Sequence, residues 1–95
     1  KILRIKEKFL NAEELQEVSM EVNELTAYWS IKEALFKIYG RNDAYLKENF
    51  HVKNLQFDGV IGSAKGIISI NNSYEEHDLA VRKVDNYMMA YNLNY

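Results

Sequence analysis

The spacing of hydrophobic positions changes about halfway along the chain and divides it into a helical half and a strand half. Ile2, Ile5 and Phe9, with Leu10 beside it, recur at intervals of three to four among Lys1, Arg4, Lys6 and Lys8. That period predicts a short amphipathic helix. Asn11 followed three residues later by Glu14 is a variant of the capping box and predicts a second helix, running to about Met20. Asn23 is placed to cap a third and longest helix, with Leu25, Tyr28, Trp29, Leu35, Phe36 and Tyr39 as its apolar face. Gly40 stands where a left-handed residue closes such a helix.

From Phe50 onward the period is that of strands. Val52, Leu55 and Phe57 predict a first strand, with Gly59 and Gly62 marking the turn after it. Gly66 allows a bend or a close approach of the backbone. Ile67, Ile68 and Ile70 predict a second strand, bounded by the polar cluster Asn71-Asn72-Ser73. Leu79, Val81 and Lys83 alternate with Ala80, Arg82 and Val84, and Tyr87, Met89 and Tyr91 alternate with Met88 and Ala90. Asp85-Asn86 between these runs predicts a two-residue hairpin. The expected class is α+β, with N-terminal helices packed on a C-terminal antiparallel sheet.

Ninety-five residues make room for one domain, spanning residues 1–95. A hydrophobic content of 47% with 27% charged residues is that of a folded chain rather than a disordered one. The formal net charge of −2 offers no electrostatic basis for wrapping nucleic acid or lying on an anionic membrane. No apolar run approaches the ~20 residues that span a bilayer. The chain has no cysteine, so disulfides and thiolate metal sites are excluded, and the composition fits a reducing cytoplasm. The missing initiator methionine leads to the expectation that the chain was taken from something longer.

Chemistry concentrates in Trp29-Ser-Ile-Lys32-Glu33-Ala-Leu-Phe-Lys37-Ile-Tyr-Gly40. On a helix Trp29, Glu33 and Lys37 are four apart and share one face. A carboxylate there can ligate a hard cation such as Mg²⁺, which also binds substrate phosphates. A lysine one turn away can pair with those phosphates as a compact charge. The same spacing also describes an ordinary solvated helix pair worth about 0.2–0.5 kcal/mol, and a tryptophan at such a position is commonly a packing anchor.

The string resembles the W-[ST]-x-K-E-[AS]-x-x-K signature of 4′-phosphopantetheinyl transferases, with Trp29, Ser30, Lys32, Glu33, Ala34 and Lys37 at the named positions. Upstream, Lys8-Phe9-Leu10-Asn11-Ala-Glu13-Glu14-Leu15 resembles the family's K-[RK]-F-[FL]-[ST]-x-x-E stretch. Trp29 is similar to the surfactin-synthetase-activating type, whose chain contains two similar halves, rather than to the short trimeric acyl-carrier-protein synthases. The chain would then be a C-terminal half, with the missing N-terminal half or a homo-oligomer as partner.

The resemblance implies roles for individual residues. Glu33 matches the metal-ligand glutamate, and Lys37 the lysine that contacts the coenzyme A phosphates and assists the leaving group. Lys32 matches a second lysine near the phosphates or the acceptor serine. Glu14 matches a glutamate proposed as the general base, and it is equally the capping-box residue of its helix. The implied reaction is Mg²⁺-dependent transfer of the 4′-phosphopantetheine arm of coenzyme A to a serine of an acyl or peptidyl carrier protein. The family's Asp-x-Glu metal pair precedes the segment matching Ile2–Phe9, so this chain is expected to supply one metal ligand of three. Lys1, Arg4, Lys6 and Lys8 against Glu7 form a basic segment suited to the acidic helices of carrier proteins.

Other motifs carry less. His51 and His77 lack ligand spacing, the glycines form neither a P-loop nor G-x-G-x-x-G, and no serine sits in a nucleophile elbow. A non-catalytic α+β association module that keeps the fold is the alternative reading.

Overall fold

The computed structural model of the protein describes residues 2–18, 21–41 and 43–93, with side chains from Ile5 onward. Among the described residues four helices precede four strands: α1 (Ile2–Phe9), α2 (Ala12–Glu17), α3 (Val22–Tyr39), α4 (Leu46–Asn49), β1 (Phe50–Phe57), β2 (Ile61–Ile70), β3 (Ser73–Val84) and β4 (Tyr87–Asn92). The strands form one antiparallel sheet in the order β1-β2-β3-β4, so the α+β class is the expected one. Among the described residues no helix is long and apolar enough to cross a membrane.

Local chemistry sets most of the boundaries. The Asn11 side chain accepts from the Glu14 N–H and the Glu14 carboxylate accepts from the Asn11 N–H, a complete capping box at the start of α2. That helix ends at Glu17, and the expected end at Met20 lies outside the described residues. α3 starts earlier than the spacing predicts. Its cap is Glu21, whose carboxylate accepts from the Asn23 and Glu24 N–H groups at 3.1 Å each. A carboxylate at that end also complements the helix dipole, while Asn23 accepts instead from Lys83 Nζ at 3.3 Å. Gly40 closes α3 in the left-handed region, at φ 76°, donating to the Phe36 carbonyl.

The hairpins follow the turn residues. Asn71 and Asn72, at φ 51° and 67°, make the two-residue turn between β2 and β3, and Asp85-Asn86 joins β3 to β4. Between β1 and β2 only Gly59 is in the turn, where Asp58 Oδ1 accepts from the Val60 and Ile61 N–H groups. Gly62, expected in the turn, lies within β2 opposite Phe57. The pairing of β1 with β2 shifts between Lys53 and Gln56, where Asn54 has a positive φ.

α3 lies across the sheet and carries the core. Leu25, Ala27, Tyr28, Ile31 and Leu35 on the helix are buried with Phe50, Val52, Ala64, Ile68, Leu79 and Val81. The buried stripe therefore runs through Ala27 and Ile31, while Trp29, Phe36 and Tyr39 flank it half-buried. Gly66 is where the helix meets the sheet. A Cβ there would stand 2.6 Å from a Leu79 methyl and 2.8 Å from a Leu35 methyl, so the missing side chain sets how closely α3 approaches.

Candidate active site

The exposed flank of α3 and the edge strand β4 enclose a cleft of about 550 Å³. Trp29, Glu33 and Lys37 line it from the helix, and Met88 to Asn92 line it from the strand. Several contacts hold the two walls together. Met88 and Ala90 pack against the core, and Ser30 Oγ donates to the Met88 carbonyl at 3.4 Å. The Trp29 ring stands edge-on to Phe9, with centroids 5.1 Å apart at 82°. That contact fixes the near end of the cleft against α1.

Glu33 and Lys37 are one turn apart on this face, as their spacing requires. Glu33 is half-buried and Lys37 exposed, and among the described residues the two form no ion pair with each other or with another side chain. Lys37 lies in the last turn of α3, where the helix carbonyls favour a cation. The arrangement presents one carboxylate and one ammonium to whatever occupies the cleft. Among the described residues no three His, Cys, Asp or Glu side chains cluster as a metal site. A single open carboxylate still suits Mg²⁺, which usually takes one or two carboxylates and completes its shell with water and substrate phosphates.

Lys32 and Glu14 are not on the cleft. Both are buried, at 0% and 1% exposure, where α3 meets α1, α2 and α4. Lys32 Nζ donates to Glu14 Oε1 at 2.7 Å, to the Phe9 carbonyl at 2.6 Å and to the Leu46 carbonyl at 2.9 Å. Burial pulls the ammonium below the usual lysine value, and the Glu14 carboxylate opposes that pull. Glu14 Oε2 accepts from the Val52 N–H of β1 at 2.6 Å.

His51 adjoins this cluster. Asn11 Oδ1 is committed to the Glu14 N–H, so Asn11 Nδ2 is the group facing His51 Nδ1, at 2.9 Å. His51 Nδ1 therefore accepts, and the ring is neutral with its proton on Nε2. Burial is the main force lowering its pKa, with Lys32 and Lys53 adding to the shift and Glu14 and Glu13 opposing it. A base whose folded pKa lies below its unfolded value takes up protons preferentially when unfolded. Stability should thus be full above the ordinary histidine value of 6.5 and should fall as pH drops below it. Urea midpoints measured between pH 7.5 and pH 5.5 should decline more in the native chain than in His51→Gln. Equal declines would remove His51 from the account. His77 lies on β3, 2.7 Å from Glu75 through Nε2.

The sequence reading missed the β4 wall. The alternation along Tyr87–Asn92 already separates Met88 and Ala90 from their neighbours. Recognising β4 as an edge strand beside α3 would have placed them in the cleft. A family model of the 4′-phosphopantetheinyl transferase superfamily matches residues 1–92, whereas no curated protein and no solved structure matches the chain. With the match covering every helix and strand described, the α3 flank and β4 included, the chain belongs to the 4′-phosphopantetheinyl transferase superfamily.

Proposed function

We propose that the cleft between α3 and β4 is the coenzyme A side of a holo-carrier-protein synthase site, with Glu33 and Lys37 as its charged groups. The observation that carries this reading is their disposition. Two opposite charges one turn apart leave each other unpaired and line the same cleft.

In the proposed reaction the serine hydroxyl of a carrier protein attacks the β-phosphorus of coenzyme A. A serine oxygen–phosphorus bond forms, and the bond from that phosphorus to the bridging oxygen breaks. The serine proton is released, and 3′,5′-adenosine bisphosphate departs. Lys37 holds a positive charge beside the phosphates, where it stabilises the negative charge that builds on the leaving group. Glu33 is the residue of this chain that would hold Mg²⁺, which when bound neutralises charge on the pyrophosphate. Trp29 and Met88 give the cleft an apolar wall against which the uncharged arm can lie.

α3 and β4 supply two walls. A preceding half of the same polypeptide, or a second copy of the chain, would supply the third and cover Tyr87, Met89 and Tyr91, all exposed on β4. Lys6 and Lys8 on α1, with Arg4 and Lys1 whose side chains lie outside the described residues, suit the acidic surface of a carrier.

Calorimetry on the full-length protein tests the reading. Coenzyme A should bind in the presence of Mg²⁺, and Lys37→Met should lower kcat/KM for coenzyme A on the order of 10²-fold. A non-catalytic association module would bind no coenzyme A. Binding or turnover indifferent to Lys37→Met would remove Lys37 from the site.

A further inference from the structure

We propose that Lys32 and Glu14 are positioning residues: a buried clamp that sets the rotation of α3 and thereby aims Glu33 and Lys37 into the cleft. This rests on the reading of the cleft given above, and it assigns both residues away from substrate. An ammonium has three protons. Those of Lys32 are all used, on the last residue of α1, on Glu14 of α2 and on the first residue of α4. Glu14 extends the connection to the β1 backbone through Val52 and to the α1–α2 joint through the Asn11 N–H. Four elements are thus tied to one point on α3.

Helical geometry makes this clamp relevant to the site. Successive residues on an α-helix project about 100° apart, so the direction in which Lys32 is anchored fixes the directions of Glu33 and Lys37, which line the cleft. A rotation of α3 that carried the Lys32 ammonium to where Glu33 stands would turn Glu33 from its present direction by the same angle, about 100°. It would also abandon the Phe9 and Leu46 carbonyls and the Glu14 carboxylate inside the protein. With Lys32 anchored, Glu33 and Lys37 keep their direction, and the Phe9–Trp29 contact beside the anchor holds the same helix face. Glu14, for its part, is closed off from solvent and turned toward Lys32, Asn11 and Val52, so no acceptor hydroxyl reaches it.

A double-mutant cycle in the full-length enzyme separates positioning from catalysis. Glu14→Gln and Lys32→Met alone each leave a polar group stranded in the interior. Each should lower the urea midpoint and reduce kcat at least about tenfold. The pair together should recover kcat to within about fivefold of the native enzyme, with the KM for coenzyme A unchanged. A base or a phosphate-binding lysine is not rescued by deleting its partner. A folded double variant as inactive as the worse single would therefore overturn the proposal, as would loss of the acid limb of the pH–rate profile in Glu14→Gln.

A measurement on the native protein needs no variant to fold. The ¹⁵N resonance of the Lys32 ammonium should stay in place when coenzyme A and Mg²⁺ are added, while that of Lys37 moves. Movement of Lys32 as large as that of Lys37 would also overturn the proposal. The stability arm of the cycle reads the clamp whatever the chain catalyses. If Glu33→Gln left transfer intact while the cycle still showed coupling, the cleft reading would fail and the clamp would stand as a folding element without the aiming role.

Discussion

Glu33→Gln in the full-length enzyme is expected to reduce Mg²⁺-dependent transfer on the order of 10³-fold while leaving the fold in place. The substitution keeps the size and shape of the side chain and removes only its charge. Glu33 is half-buried at the cleft and engages no ion pair among the described residues, so little native structure depends on its carboxylate. The urea midpoint should correspond to a change within about 0.5 kcal/mol, the range of surface substitutions that disturb no buried partner. The loss should fall on kcat, since the charge matters most as the pyrophosphate bond breaks. Near-native turnover with Mg²⁺ at saturating coenzyme A would refute the assignment. A large drop in stability would show instead that Glu33 supports α3.

Phe50→Ala should have the largest effect on stability, about 3–5 kcal/mol. Phe50 opens β1 and is fully buried beneath the C-terminal half of α3. Its ring meets Phe36 at 6.0 Å and Tyr39 at 6.1 Å, both edge-on. Truncation leaves a cavity under the turn that carries Lys37, and two aromatic rings lose their partner at once. Domains of this size have only about 5–15 kcal/mol in total, so much of the variant should be unfolded at moderate urea. A midpoint shift worth less than about 1 kcal/mol would mean that the site collapses around the smaller residue. Activity should fall with the folded fraction and be restored on cooling toward the temperature of maximum stability.

The parts of the fold written in local chemistry were legible before the structure. Asn11 and Glu14 announced a capping box, Gly40 a left-handed helix end, and Asp85-Asn86 a tight hairpin, and each is found where it was read. α4 was not legible, because one turn of helix has no period to detect. Its role emerges only in three dimensions, through the Leu46 carbonyl on Lys32. The start of α3 was misplaced because glutamate is an uncommon cap, and Asn23 nearby carried the stronger signal. The apolar face of α3 was read as Leu25, Tyr28, Trp29, Leu35, Phe36 and Tyr39; Leu25, Tyr28 and Leu35 are buried, whereas Trp29, Phe36 and Tyr39 only flank the stripe and Ala27 and Ile31 complete it. A lysine within the buried stripe breaks the apolar period that such a reading relies on. Spacing alone placed Glu33 and Lys37 on one face. It could not show that the neighbouring Lys32 points inward, since charged side chains are almost never fully buried unless paired.

The order of the sheet also bears on how the chain reaches its fold. Every strand pairs with the one next to it in sequence, through a connection of three residues after β1 and of two after each of β2 and β3. Closing so short a loop costs little entropy, and a topology dominated by such near-neighbour pairings folds quickly for a β-rich chain. The expensive closures are those between the helical segment and the sheet. Glu14 and Val52 are separated by 38 residues, and Ser30 and Met88 by 58. The hairpins can therefore zip locally, while α2 and α3 wait on distant partners in the sheet before the cleft takes shape.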